Sequence, residues 1–280
     1  MKSKKALIPI IIVFIVGLLI FLYPTISNTW NKYRDQQLIS DYDNAVAQQD
    51  DSVLEEELQK AEDYNKTLVG ERVPYSFAKR DGVKDEYYES LLNINGNGMI
   101  GYIEIPAIDV NLPIYHYTTD EVLQKGAGHI FGSSLPVGGK GTHSVISAHR
   151  GLPSAKMFTD INLLEEGDDF QIHVLNRTVT YEVDQIKTVE PEDTSDLEIE
   201  EGRDYVTLLT CTPYGVNTQR LLVRGHRIAN PAEGVDAGES SKAPAGHNPG
   251  WPEVILSIIA GLILGGLIVI IVLRINRRKS

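Results

Sequence analysis

The stretch "TLLTCTPYGVNTQRLLVRGHR", residues 207–227, contains the only cysteine of this chain of 280 residues. Two β-rich runs, "DYVTLLTCT" and "QRLLVRGHRI", flank a connection that contains Pro213, Gly215 and Asn217. Because these residue types favour turns, we predict an antiparallel pair of strands joined by a loop. In such a pair Arg220 returns beside Cys211.

The residues near Cys211 favour a reactive role for its thiol. A permanent cation such as Arg220 stabilises a thiolate, and it can also stabilise an oxyanion on a bound carbonyl. The alternative is that Cys211 is a small buried hydrophobic residue without a reaction. A single cysteine cannot form an internal disulfide, so a structural disulfide is not a third interpretation.

A cysteine nucleophile needs a histidine to move its proton. His149 is the best candidate of the seven histidines, because it ends the strand-like run "THSVISAH" and precedes a loop with Gly151 and Pro153. Catalytic side chains concentrate at such strand ends. The other histidines are interpreted as strand residues (His143, His173, His226) or as residues in loop-like context (His116, His129, His247).

A metal site is the competing chemistry. Zinc would need three or four ligands, and the chain has one cysteine and no closely spaced histidine pair. The acidic residues show no EF-hand ligand pattern, which leaves calcium open. We expect no cofactor.

From residue 99 the sequence is typical of a mainly β protein. "MIGYIEIPAIDVNLPIYH", "DFQIHVLN" and "RTVTYEVDQIKTV" add further strand candidates, and many short strands indicate a closed barrel or a sandwich. We interpret "TDEVLQKGAGHI" and "SAKMFTDINLLEEG" as short helical pieces between strands.

The N-terminal part is predicted to be helical. In "SVLEEELQKAEDYNKTL" a capping box joins Ser52 to Glu55, and Leu54, Leu58 and Ala61 form an apolar stripe. An earlier helix is predicted over "TWNKYRDQQLISDYDNAVAQ". We interpret the pair as a helical stalk between the membrane and the main domain.

Two apolar stretches, residues 6–22 and 254–273, carry no charge and are long enough to cross a membrane. The first lacks an A-x-A-like cleavage site and is interpreted as a retained anchor rather than a signal peptide. Basic residues flank both stretches on their outer sides, so we expect both termini in the cytoplasm and the intervening chain on the extracellular face. The net charge of −12 argues against nucleic-acid binding.

These features predict an order of segments. We expect a cytoplasmic tail (1–5), a transmembrane helix (6–23), the helical stalk (24–68), a lid loop with a short helix (69–92) and the β-barrel (93–230). A flexible linker (231–252), rich in Pro, Gly, Ala and Ser, then leads to a second transmembrane helix (253–273) and a basic tail (274–280).

The motifs resemble those of the class C, pilus-building sortases of Gram-positive bacteria over about residues 70–230. The family signature T-L-x-T-C with a following arginine is present as "TLLTC" and Arg220, and "CTPYGVNTQRL" has the class C form. "GYIEIPAIDVNLPIYH", "GAGHIFGSSLPVGG" and "THSVISAHRGLP" are also similar to class C blocks.

The resemblance implies an eight-stranded sortase β-barrel and a set of roles. Cys211 would be the nucleophile, His149 the acid/base and Arg220 the group that stabilises the oxyanion or the substrate, while Thr210 would contact the substrate. The implied reaction cleaves the Thr–Gly bond of an LPXTG-like sorting signal through a thioester, and a lysine of the next pilin subunit resolves it as an isopeptide.

The resemblance also implies a lid over the site. Class C sortases commonly carry an Asp-Pro-aromatic lid motif, and the equivalent here is Val73-Pro74-Tyr75. Tyr75 would cover Cys211, whereas Val73 cannot form an ion pair with Arg220. We expect a weakly held lid with partial self-inhibition.

Three alternatives to pilin polymerisation remain open from the sequence. A sortase that attaches proteins to peptidoglycan would use the same residues for its first half-reaction. A plain cysteine peptidase would release a hydrolysed product. A non-catalytic, membrane-tethered binding domain would leave Cys211 buried and inert.

Overall fold

A computed structural model describes residues 2–68 and 84–230 of the chain, with side chains from residue 11 onward. Eight strands follow in sequence: β1 (Met99–Ile105), β2 (Val110–His116), β3 (Ala127–His129), β4 (Thr142–Ser147), β5 (Asp169–Val174), β6 (Arg177–Val189), β7 (Asp204–Thr212) and β8 (Gln219–Arg227). Within the described residues four α-helices accompany them: α1 (Lys2–Ala47), α2 (Asp51–Thr67), α3 (Glu86–Ser90) and α4 (Asp120–Lys125).

The strands close into one barrel in the order β1-β2-β3-β4-β7-β8-β6-β5. Most neighbours are antiparallel, but β2–β3 and β4–β7 pair in parallel. The expected eight-stranded barrel is therefore confirmed. Closure removes unpaired sheet edges, and it places β7 between β4 and β8.

The apolar core joins the barrel to both N-terminal helices. Ile39, Tyr42 and Val46 of α1 lie in the same buried cluster as Ile103 and Phe170 of the barrel. The predicted stripe of α2 is confirmed, because Leu54, Leu58 and Ala61 are all buried in that cluster.

The stalk interpretation of residues 24–68 needs correction for this reason. Tyr42 is fully buried, and its hydroxyl donates to the Ile100 carbonyl and accepts from the Leu175 amide. The second half of α1 therefore packs on the barrel, since burial of its apolar face outweighs the polar composition of the segment. The predicted capping box is also wrong: α2 begins at Asp51 after the N-cap residue Asp50, so Ser52 lies inside the helix.

Two segments interpreted as short helical pieces differ from that expectation. In "TDEVLQKGAGHI" the helix ends at Lys125, and Ala127–His129 then form the short strand β3. In "SAKMFTDINLLEEG" only Ile161–Leu163 form a helical turn, of the 3₁₀ type. Two more 3₁₀ turns occur at Pro106–Ile108 and Ser195–Leu197.

Contacts set Met1–Ile26 apart from a compact unit that begins at Ser27. Within the described ranges, one helical stretch, in Ile11–Ala47, is long and apolar enough to cross a membrane; its apolar window has a mean hydropathy of 2.2 and is not buried. The second predicted transmembrane helix, residues 253–273, the linker 231–252 and the basic tail 274–280 lie outside the described residues and stay predictions.

Candidate active site

The site forms where three neighbouring strands end. Cys211 lies on β7 directly opposite Arg220 on β8, in the antiparallel register Leu209↔Leu222, Cys211↔Arg220. Directly opposite residues of an antiparallel pair project from the same face of the sheet. The hairpin predicted from the sequence is therefore present, and it brings the thiol and the guanidinium to one place.

His149 reaches the same place from the other side of β7. Strands β4 and β7 pair in parallel with Ser147 beside Leu209, and the Ala148 amide donates to the Leu209 carbonyl at 3.2 Å. Continued by two residues beyond Ser147, this register brings His149 level with Cys211. The strand order β4-β7-β8 thus puts Cys211 between His149 and Arg220.

All three side chains are accessible in part. Cys211, His149 and Arg220 are each half-buried. A purely structural cysteine is expected to be fully buried, as an ordinary small hydrophobic residue would be. The exposure of Cys211 favours the reactive interpretation over the inert one.

The turn between β7 and β8 has the geometry that its sequence predicts. Gly215 and Asn217 have positive φ angles of 73° and 62°, a conformation that glycine and asparagine tolerate best. The amides of Val216 and Asn217 both donate to the Pro213 carbonyl. The tip exposes Tyr214 and Val216, at 59% and 64% of their surface.

Arg220 is held close to this turn. Its Nη1 donates to the carbonyls of Asn217, at 3.2 Å, and Gln219, at 3.0 Å. These bonds fix one side of the guanidinium by the backbone of the turn. An arginine presents five N–H donors in a planar fork.

The segment after His149 folds back on itself. The Phe158 amide donates to the His149 carbonyl at 3.1 Å, and the Gly151 amide donates to Thr159 Oγ1 at 3.2 Å. Phe158 is fully buried and anchors the returning chain. His149 therefore begins a closed loop, residues 149–158, which we call the His149 loop.

Arg150 connects this loop to β7. Its Nη1 donates to Thr212 Oγ1 at 3.0 Å, its Nη2 to Asn162 Oδ1 at 2.8 Å and its Nε to the Thr159 carbonyl at 3.1 Å. The residue after the histidine is thereby tied to the residue after the cysteine. Sequence reasoning missed this role, although the adjacency of Arg150 to His149 was a signal that could have prompted it.

Thr210 has a different role from the one expected. It is buried and alternates with Cys211 along β7, so it projects from the opposite face. Its Oγ1 donates to the Ala148 carbonyl at 2.7 Å. We therefore reassign Thr210 from substrate contact to holding β4 against β7 beside His149.

The remaining described histidines lie away from Cys211. His116 and His129, expected in loop-like context, instead end β2 and β3 and are buried. Burial lowers the pKa of His129 and of His143 to about 4 in each case. His143 Nδ1 donates to the Glu198 carbonyl, while Nε2 accepts from Thr207 Oγ1. The buried rings of His116, His129 and His143 are structural, and among the described histidines His149 is the one that stands level with the thiol.

A polar cavity of about 720 Å³ opens elsewhere on the barrel. It lies near Asp204, which begins β7, and Arg227, which ends β8, so it sits at the opposite ends of these strands from Cys211. Because none of the three candidate catalytic side chains lines it, this cavity is not the candidate site.

In residues 2–68 and 84–230, no group of three or more His, Cys, Asp or Glu side chains is arranged so that it could hold a metal ion. The predicted lid, with Pro74 and Tyr75, lies outside the described residues. It stays a prediction.

Comparisons with known proteins point to one family. A family profile described as "Sortase domain" matches residues 103–228. Sortase C of Streptococcus pneumoniae has a TM-score of 0.65 and 46% identity, and the alignment covers 70% of this chain and 98% of that one. Sortase C1 of Streptococcus agalactiae has a TM-score of 0.65 and 47% identity, with 70% and 100% covered. Sortase C-1 of Actinomyces oris has a TM-score of 0.60 and 44% identity, with 63% and 99% covered.

The chain belongs to the sortase family, and these neighbours confirm its resemblance to the class C sortases. Curated relatives are more distant. Sortase D of Bacillus subtilis is 31% identical over 131 residues, which are 46% of this chain and 63% of that protein. Sortase A of Bacillus anthracis is 28% identical over 135 residues, or 48% and 62%. The chain thus spans a little less than two thirds of the length of these curated relatives.

Proposed function

We propose that this protein is a membrane-anchored cysteine transpeptidase that joins pilin subunits through lysine isopeptide bonds. The observation that carries the proposal is that Cys211 on β7 lies opposite Arg220 on β8, and that the neighbouring strand β4 leads into His149 on the other side of β7. A nucleophile, a base and a fixed cation at one level are what acyl transfer requires.

In the first half-reaction the Cys211 thiolate attacks the carbonyl carbon of the Thr–Gly bond in an LPXTG-like sorting signal. Arg220 stabilises the negative charge that develops on the carbonyl oxygen. The tetrahedral intermediate collapses, the C–N bond breaks, and protonated His149 gives its proton to the departing glycine nitrogen. The products are a thioester on Cys211 and the free C-terminal fragment.

In the second half-reaction a lysine amine of the next pilin attacks the thioester carbon. Neutral His149 accepts the amine proton as the new amide bond forms, and the C–S bond breaks to return the thiolate. Charge and atoms balance over the two steps, since one amide bond is broken and one is made. No cofactor takes part.

The choice of pilins as substrates rests on likeness to class C structures. The solved Streptococcus pneumoniae sortase C is described with regard to pilin substrate specificity, and a group B Streptococcus neighbour is described as pilus-related. The apolar helix at Ile11–Ala47 supports membrane anchoring. We further propose two membrane spans, cytoplasmic termini and an extracellular catalytic domain, because basic residues flank both apolar stretches.

Transfer to an amine tests the proposal. The full chain in detergent micelles is incubated with an LPXTG-type peptide and a peptide that carries one lysine, and the products are sequenced by tandem mass spectrometry. We expect the threonine carboxyl joined to the lysine Nζ. Hydrolysed peptide alone would indicate a peptidase. A parallel reaction with a peptidoglycan-type amine in place of the lysine peptide would indicate a cell-wall anchoring sortase if only that reaction gave a transfer product.

A further inference from the structure

We propose that helix α1 holds the His149 loop in place, and that Asn28 and Asn31 are positioning residues for the acid/base. The inference rests on the proposed role of His149. It assigns a task to a segment whose composition suggests only a stalk between the membrane and the barrel.

The contacts are hydrogen bonds from α1 side chains to the backbone at the tip of the loop. The Ser154 carbonyl accepts from Asn31 Nδ2 at 2.6 Å and from Ser27 Oγ at 2.9 Å. The Lys156 amide donates to Asn28 Oδ1 at 2.8 Å. Residues 27, 28 and 31 share one face of the helix because their spacings are three and four. This face therefore binds two backbone groups of the loop.

The tip of the loop has little other backbone support. Inside the loop an isolated bridge joins Leu152 to Ala155, and the base of the loop is closed by the Phe158 amide on the His149 carbonyl. Lys156 adds a side-chain bond from its Nζ to the Ile108 carbonyl, at 2.8 Å. A surface loop without strand partners moves unless other elements hold it. The α1 bonds supply that restraint at Ser154 and Lys156, five and seven positions after His149 in the sequence.

The position of His149 matters because proton transfer requires a narrow geometry. A displacement of about 1 Å at a catalytic group can reduce a rate by up to about 10²-fold. Arg150 fixes the loop on its β7 side through Thr212, and α1 fixes it on the opposite side. The histidine is thus held between the barrel and the helix.

The two asparagines have opposite hydrogen-bonding roles, which gives a sharp test. Asn28 accepts from a backbone amide, so Asn28→Asp keeps the acceptor. Asn31 donates to a backbone carbonyl, so Asn31→Asp removes the donor and places a carboxylate against the Ser154 oxygen. Both variants add one negative charge of the same size next to the same loop. An effect of charge or of general stability would affect both variants alike.

Two measurements on the full chain in detergent micelles follow. The first is the rate at which iodoacetamide alkylates Cys211 as a function of pH, which needs no substrate and reports one site because the chain has a single cysteine. The second is kcat/KM with a sorting peptide. Lys32→Met is the control: it breaks the Lys32–Asp109 ion pair at 2.9 Å, a contact between α1 and the barrel outside the His149 loop.

We expect Asn31→Asp to move the alkylation profile to higher pH, because the thiolate loses a well-placed imidazolium, and to lower kcat/KM about 10-fold through kcat rather than KM. Lys32→Met should match the wild type in both, and Asn28→Asp, which keeps its acceptor for the Lys156 amide, should show a smaller change than Asn31→Asp. Identical alkylation profiles for Asn31→Asp and wild type would overturn the inference. If the wild type alkylates with a pH-dependent profile but never acylates, the proposed function fails, while the alkylation comparison still decides the role of α1.

Discussion

Cys211 lies directly opposite Arg220 in the antiparallel pair of β7 and β8, at the end of both strands. The parallel partner β4 leads His149 to the same level. Three side chains that are separated by as many as 71 positions in the sequence (149 to 220) are therefore neighbours across two strand pairings. The backbone hydrogen bonds of the β4–β7 and β7–β8 pairs therefore determine where these three residues lie.

Arg220→Lys should show whether the planar fork is needed. In arginine, Nη1 donates to the carbonyls of Asn217 and Gln219 while the other guanidinium nitrogens point elsewhere. Lysine keeps the positive charge, but its single ammonium group cannot reproduce this planar arrangement of donors. We expect kcat/KM to fall by about 10²-fold, the effect of removing an oxyanion donor. Arg224→Lys is the matched control, because Arg224 lies on the same strand and binds Asp184 instead. A loss in the control as large as in Arg220→Lys would contradict a specific role.

The bond between Arg150 and Thr212 should be visible as energetic coupling. Thr212→Val removes the hydroxyl with little change of shape, and Arg150→Met removes the guanidinium. In a double-mutant cycle on kcat/KM we expect a coupling of about 1 kcal/mol, the usual size for a partly exposed bond to a charged group. Additive effects would show that Arg150 does not act through Thr212.

Gly151→Ala should damage the site for two separate reasons. Gly151 has φ +82°, and a Cβ there would lie 3.0 Å from the Tyr214 ring. Gly202→Ala is the control, since Gly202 has φ +76° but open space around it. Both variants should lose about 1–2 kcal/mol of unfolding free energy from the backbone conformation.

Only Gly151→Ala should also lower kcat/KM, because Tyr214 sits on the turn that follows Cys211. Adding Tyr214→Ala to Gly151→Ala should restore the steric part of the stability loss. Equal catalytic losses in Gly151→Ala and Gly202→Ala would contradict the contact between the two loops.

Acid should weaken the fold through buried histidines. Burial lowers the pKa of His129 and His143 to about 4, from an ordinary value of 6.5. The unfolded chain binds protons below pH 6.5, whereas the folded chain does not until about pH 4. Stability is therefore full above pH 6.5 and falls as the pH drops from 6.5 to 4, by about 2 kcal/mol for each histidine at pH 5.

Urea unfolding of the full chain in non-ionic detergent at pH 7.5 and pH 5 measures this loss. His143→Asn keeps a donor for the Glu198 carbonyl but cannot titrate. It should be less stable at pH 7.5 and should lose less stability on acidification than the wild type. An unchanged pH dependence in this variant would remove His143 from the explanation.

Sequence patterns predicted the parts of this structure that depend on local composition. The run that contains Cys211 and the run that begins at Gln219 form strands because both are rich in β-branched and apolar residues. The connection between them is rich in turn residues. The stripe of Leu54, Leu58 and Ala61 is buried as its helical spacing indicates. The pairing of Cys211 with Arg220 followed from the hairpin.

Features that depend on distant partners were missed. Strand β3 has three residues with a glycine at its centre, and only its pairing with β2 and β4 defines it as a strand. Thr210 was expected to contact the substrate, yet its hydroxyl donates to the Ala148 carbonyl. The bonds of Asn28 and Asn31 join residues more than 120 positions apart, so no local pattern reveals them.

Formation of a thioester on Cys211 tests the central claim most directly. The full chain in detergent is mixed with an LPXTG-type peptide in the absence of an amine, and the intact mass is recorded for wild type, Cys211→Ala and His149→Gln. The account predicts an adduct of the peptide's N-terminal fragment on the wild type, none on Cys211→Ala and a strongly slowed adduct on His149→Gln. Loss of the peptide's C-terminal part without any adduct, or an adduct that persists in Cys211→Ala, would contradict it.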